Sequence, residues 1–501
     1  MNTPLWRTVA LLAGLAFGAS TAQAGNVRIG ISSMPPKNGN PFGTPARTTW
    51  YTIGGIYDTL TKLGSDTTPQ ASLALSWRNT DEKTWLVSLR PNVTFSNGEP
   101  MDAAAVVATV NYLKTPAAAV DLIAQEVANI ETVRAVDKLT VEFKTKAIDP
   151  NFARQLTLIP IVPPVAWAKV GRDGFALSPI GTGPFQVEKW EKNRVTFVPF
   201  KGSWHPPAAD RLEVIALPEQ AARQAALLSG RIDIASEMGL EDIDSLKEAG
   251  FKIYQRPASS VYVMMFNSLK PNSPFKDLRV RQALNYAVNR DAIAKTIYHG
   301  LVPAATQTAS RNNPDHDPAL KYFPYDPEKA KALLKDAGYP NGFSFTDDMS
   351  FGTSGPELPQ AMQQIASDLA KVGVKMEIRQ LPWAQWVRGV QETGVDGDAF
   401  NFEYETLPTG DTLRPYRLHS CTWPHAWYCD KEIMPLLDEA KITFDPARRK
   451  ALVKQILTRQ NEQAPGILLF EPQGIDGVGP KVENYNQENA QMSYSRMNVT
   501  K

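Results

Sequence analysis

The stretch Tyr262–Gly300, YVMMFNSLKPNSPFKDLRVRQALNYAVNRDAIAKTIYHG, constrains the fold more than any other part of the chain. It begins as a strand, because Tyr262 to Phe266 are aromatic, Val and Met residues that suit a pleated surface. Asn267 to Pro274 break that strand with polar residues and prolines. Asp277 is placed to cap a helix whose apolar residues Val280, Ala283, Leu284, Ala287 and Val288 recur at helical spacing. Asn289 is placed to cap a second helix, with Ile293 and Ile297 inward and Gly300 as its stop. Nothing in the stretch carries catalytic chemistry.

Residues 1–24 read as a secretory signal. Arg7 supplies the positive start, Val9 to Gly18 an apolar run too short to span a bilayer, and Ala22-Gln23-Ala24 a cleavage site. The mature chain is expected to begin at Gly25. No Cys follows the apolar run, so no lipid anchor is expected, and no later stretch reads as a membrane span. Without Arg7 the 53 basic residues become 52, against 52 acidic ones. A formally neutral chain argues against nucleic acid as a partner. The remaining length, roughly 480 residues, exceeds one ordinary core, so two or more lobes are expected.

Along the chain, Val27 to Ser32 alternates as a strand, Pro35 to Pro45 is a loop, and Thr48 to Leu60 reads as a helix. Trp77 to Leu89 alternates as a hairpin around Asn79–Lys83, and Asp102 caps a helix carrying Val106, Val107, Val110 and Leu113. Thr132 to Phe143 reads as a further strand pair. Gly181-Thr182-Gly183 lacks the third Gly of a dinucleotide turn and the Lys of a phosphate loop, so it reads as a tight turn into a strand from Phe185. Ala221 to Gly230 is a helix, with a strand at Ile232–Ile234. Asp326 caps a helix with Pro327 at its first position and Gly338 at its end. Pro359 to Val372 is a helix, and Val374 to Arg379 and Phe400 to Tyr404 are strands. A long helix ends over Gln455–Glu462, and Gly466 to Phe470 is an apolar strand.

The two cysteines enclose a short loop, CTWPHAWYC. In an oxidising compartment Cys421 and Cys429 read as a disulfide, worth about 2–3 kcal/mol. The alternative is a metal site built on His419, Cys421, His425 and Cys429, but the spacing fits no standard zinc knuckle. No HExxH, Gly-x-Ser-x-Gly or phosphate-loop motif occurs, and none of the five histidines sits in a triad context. No catalytic residue, metal or cofactor is assigned. A carboxylate pair of glycosidase type remains the competing enzyme reading.

Several of these elements, in this order, resemble the family 5 extracellular solute-binding proteins of peptide, dipeptide, oligopeptide and nickel type, which serve ABC importers. They are Phe95-Ser96-Asn97-Gly98-Glu99-Pro100 after the hairpin, Gly181-Thr182-Gly183-Pro184-Phe185, Gly230-Arg231-Ile232-Asp233, Tyr262–Gly300 and the helix from Asp326. The resemblance implies an α/β, two-lobed periplasmic-binding-protein fold of the large, cluster C type. It has an extra subdomain in the first lobe and two hinge crossings. It further implies a first lobe over 25–261 with its subdomain near 60–180, a second lobe over 262–472, and a return to the first lobe over 473–501. A solute, most readily a di- or oligopeptide, is then held between the lobes by a soluble monomer that meets a permease at the inner membrane. A non-peptide solute such as an oligosaccharide, opine, cationic compound or metal chelate is the alternative.

Two stretches are candidates for the ligand surface: Phe42, Arg47, Trp50 and Tyr51 in the first, and Tyr404, Glu405, Asp411, Arg414 and Arg417 in the second. Trp383 and Trp423 are added as aromatic walls. By the resemblance, Tyr404 stands where peptide-binding members have Trp, and Asp411 where an Asp receives the peptide's amino group. The Arg those members often carry at the start of a second-lobe helix is absent here, since Glu357-Leu358-Pro359-Gln360 occupies that place. Arg47, Arg414 or Arg417 is then expected to take a ligand carboxylate.

Overall fold

The computed structural model describes residues 25–350, 357–417 (without the Arg417 side chain), 421–488 and 491–500. The cleavage site Ala22–Ala24 and His419 therefore lie outside the described residues.

A seven-stranded sheet forms the first lobe, in the order Lys252–Gln255, Ile475–Val478, Ile234–Met238, Asn26–Ile31, Arg211–Ala216, Arg194–Pro199, Phe185–Glu191. Its second member comes from the far end of the chain. A four-stranded antiparallel sheet, Ala74–Asn79, Thr84–Leu89, Thr140–Thr145 and Ile130–Asp137, forms the subdomain, and its Val87, Val141 and Phe143 share one core with Val27, Ile29 and Val214. The Gly181-x-Gly183 turn is explained by close approach, because a Cβ at either position would collide with the Ile56 carbonyl. The helix expected over Thr48–Leu60 is shorter, Arg47–Ile53, because Gly54 and Gly55 end it.

The second lobe is a five-stranded sheet in the order Lys375–Gln380, Ser344–Met349, Ala399–Glu403, Tyr262–Phe266, Gly466–Phe470. Helices cover both faces, so its strands are apolar on both sides. Met264 and Phe266 join one core, while Val263 and Met265 join the other with Phe400, Phe402 and Tyr404. The expected caps form: Asp102, Asp277, Asn289 and Asp326 each accept a hydrogen bond from a first-turn backbone N–H.

The chain passes between lobes at 256–261 and 471–474. The helix pair 278–296 is tied to the returning strand and to the end of the helix before it by three side chains. Arg281 Nε donates to the Gln463 carbonyl (2.9 Å), Asn285 Nδ2 to that of Gly466 (3.0 Å), and Arg290 Nε to that of Leu468 (2.6 Å). Arg290 is fully buried and finds carbonyl and amide oxygens, including Phe323 O and Asn285 Oδ1, in place of a carboxylate. Burial lowers its pKa to about 10.

Candidate interlobe binding site

A cavity of about 390 Å³ lies where the two lobes and both crossings meet. Period-two alternation builds its second-lobe wall. Phe402 and Tyr404 face the core, so Glu403 and Glu405 face the cavity together. Tyr262 pairs with Glu403 across the sheet and lines the same wall. Glu357 and Leu358, at the start of the helix Glu357–Ala370, add a further side. The first lobe contributes Arg47, Gln220 and the segment Glu237–Leu240.

The floor is a buried polar network. Arg256 donates to the Tyr51 hydroxyl (2.6 Å), which donates to Gln487 Oε1 (3.3 Å). Asp476 lies 3.6 Å from Arg256 and accepts from the Glu237 backbone N–H (3.0 Å), the Tyr485 hydroxyl (2.8 Å) and Gln487 Nε2 (2.6 Å). Gly474 is required under Arg256, since a Cβ there would run into the guanidinium. Glu237 is held at φ 57°, a left-handed conformation that a non-glycine residue adopts at a cost. The bond to Asp476 and an Arg223 contact to its carbonyl (2.8 Å) keep it there.

Charge in the cavity is lopsided. Four carboxyl groups, Glu237, Glu357, Glu403 and Glu405, face two guanidinium groups, and Asp476 already compensates Arg256. The Arg47 guanidinium makes no hydrogen bond or close ion pair to another described residue, although its charge acts on Glu403 and Glu405 and opposes their rise. Burial, then the neighbouring Glu403, push the Glu405 carboxyl up to about 8. Burial also raises Glu403, against an opposing hydrogen bond from Ser260, and it raises Glu357. Without a cationic guest the Glu405 carboxyl holds its proton at neutral pH, and a bound ammonium or guanidinium would favour its ionised form.

The expected site residues divide sharply. Arg47 and Glu405 line the cavity. Trp50 lies beyond it, on a second cavity that Arg47 and Glu405 also border. The others have different work. Phe42 is fully buried between the rings of Tyr112 and Trp167. Tyr51 belongs to the floor network and is closed to solvent. Tyr404 points into the second-lobe core, where Gln460 Nε2 donates to its hydroxyl (2.5 Å).

Asp411 is not an open anion for an amino group. Arg449 (2.6 Å), Asn151 (3.1 Å) and the Leu413 N–H (3.2 Å) occupy its carboxylate. Arg414 pairs with Glu126 at 3.6 Å, and Arg417 ends a short 3-10 turn whose last side chain is outside the description. Trp423 donates its indole N–H to the Val390 carbonyl (3.2 Å). Trp383 is half exposed, stacked on Trp386, and borders neither cavity. The expected disulfide joins Cys421 and Cys429. Among the described residues no group of three or more His, Cys, Asp or Glu could hold a metal ion.

Sequence reasoning missed Tyr262, Arg256, Glu237 and Glu357, and did not count Glu403 among the site residues. The alternation Phe402-Glu403-Tyr404-Glu405 carried the signal for the acidic pair. The position of Glu237 depends on a bulge in its strand and had no local signal.

Comparison with known proteins agrees with this architecture. Residues 68–415 match the family described as bacterial extracellular solute-binding proteins, family 5 Middle. The dipeptide-binding protein of Escherichia coli strain K12 is 30% identical over 383 residues, covering 71% of this chain and 69% of that protein. The glutathione-binding protein GsiB of the same strain is 29% identical over 463 residues, covering 89% and 88%. The structure of HbpA2 from Haemophilus parasuis superposes with a TM-score of 0.83 at 21% identity, covering 95% of this chain and 99% of that one.

Proposed function

Because the chain belongs to the family 5 bacterial extracellular solute-binding proteins, we propose that it captures a peptide-like solute carrying an ammonium group and delivers it to an ABC importer. The observation that carries the ligand class is the acidic cavity, with Glu403 and Glu405 side by side and Arg47 uncommitted. A cation entering a water-poor cleft needs a carboxylate partner, and a ligand carboxylate needs a guanidinium. A short peptide offers both. The dipeptide- and glutathione-binding relatives bind, by their names, compounds of this kind.

The protein works by binding, and closure of the lobes around the solute gives both retention and a surface for the permease. It acts as a monomer in the periplasm after cleavage before Gly25. No described helix is long and apolar enough to cross a membrane. A cationic solute without a carboxylate is the second reading, favoured by the excess of carboxyl groups over free guanidinium groups.

The test is mass spectrometry of whatever the purified protein releases on denaturation, followed by calorimetry with that compound. A peptide or amine is expected, bound at least tenfold more weakly by Glu405→Gln. A released neutral sugar, with affinity unchanged in that variant, would overturn the amine assignment.

A further inference from the structure

The cleft does not end at Arg47. The same two side chains that close one end of the first cavity, Arg47 and Glu405, also border a second cavity of about 340 Å³. Its walls have a different character. Leu63, Leu122 and Leu158 come from the subdomain side, Trp50 from the helix Arg47–Ile53, and Leu407 and Pro408 from the second lobe. Beyond the two shared residues, its one charged side chain among those described is Glu488, which lies 3.6 Å from Lys62. Leu122 is 46% exposed, a large aliphatic side chain left without cover.

A polar chamber and an apolar chamber thus meet at a waist holding one carboxyl group and one uncommitted guanidinium. We propose that the solute has two matching parts: an amine-bearing peptide backbone in the first chamber and a bulky aliphatic or aromatic side chain in the second. The polar link between them passes between Glu405 and Arg47. This inference rests on the receptor reading above and narrows it to short peptides with a large apolar residue. The two cavities together fall within the range of roughly 300–1,000 Å³ usual for small-molecule sites. Glutamine at Leu122 or Leu407 places an amide where an apolar ligand group would strip it of water.

The experiment uses the mature protein freed of ligand by denaturation and refolding, titrated by calorimetry with trialanine and with tripeptides in which one alanine is replaced by phenylalanine or leucine. At one position the apolar replacement tightens binding about 10- to 100-fold. In Leu122→Gln and Leu407→Gln that ratio between the apolar peptide and trialanine falls to threefold or less. Melting curves matching the parent show that both variants are folded. Trialanine binding with no gain from phenylalanine or leucine at any position overturns the two-part solute and leaves the peptide reading standing. A gain that survives both substitutions overturns it equally, since the apolar arm then lies elsewhere. If no peptide binds the parent protein, the peptide reading and this inference fall together.

Discussion

Glu405 carries the clearest consequence at the scale of single residues. Its carboxyl ionises near pH 8, so binding an ammonium below that pH releases a proton. Affinity for a peptide ammonium should therefore rise from pH 6 towards 8, by up to about tenfold per unit, and fall again above as the ligand's own amino group loses its proton. Stability of the empty protein moves the other way. A carboxyl whose pKa is raised on folding favours the folded state below its ordinary value of 4.5, and that advantage is lost as pH climbs through 8. Calorimetry at several pH values checks the first statement, and Glu405→Gln should give the shallower profile. Asp347 is a second case without a ligand role. It is fully buried, neither carboxyl oxygen has a hydrogen-bond partner among the described residues, and burial, then Asp348, hold its pKa well above the ordinary value. Asp347→Asn should melt higher than the parent, and the gap should widen as pH rises above about 4. A gap independent of pH would show that Asp347 finds a partner in solution. Individual roles were the least legible part of the sequence. Phe42, Tyr51 and Tyr404 are aromatic and lie in the right stretches, yet which way each side chain faces depends on strand phase and on neighbours far along the chain.

Elements were far more legible, because caps and periodicity are local. Asp277 and Asn289 cap the two central helices as their spacing implies, and Gly300 follows with φ 73°. The helix from Asp326 and the strand Gly466–Phe470 are likewise as read. What spacing did not reveal is why this central segment is built so. Arg281, Asn285 and Arg290 are polar residues within apolar helices, and only the structure shows Arg281 bound to the carbonyl that ends the preceding helix and the other two bound to carbonyls of the second crossing strand. Arg290→Leu removes the donors and leaves several buried oxygens unsatisfied, so it should cost about 3 kcal/mol or more in urea denaturation. Arg290→Lys should recover only part, because one ammonium cannot reach acceptors spread around a planar fork. A loss below 1 kcal/mol would mean that water or rearrangement satisfies those carbonyls.

Across the whole molecule the lobes touch at a second place, away from the cavity. Arg154 donates to the Thr409 carbonyl (3.1 Å), Asn151 to Asp411 (3.1 Å), and Trp85 packs against Phe444 with ring centroids 5.9 Å apart. These contacts tie the subdomain to the second lobe, and lobes that part would lose them. Scattering should give a larger radius of gyration without ligand than with it, and Arg154→Ala should weaken ligand binding about 5- to 30-fold by destabilising the closed form. An unchanged affinity would show that the cavity alone sets the closing energy. The floor network has a further consequence. Arg256 lines the cavity, belongs to the first crossing and packs on Gly474 of the second. Occupancy and posture are therefore not separate messages relayed from one part to another. A compound that lodges against Arg256 but props the lobes apart would be held and never handed on, and starvation of the importer would follow from a receptor that is full.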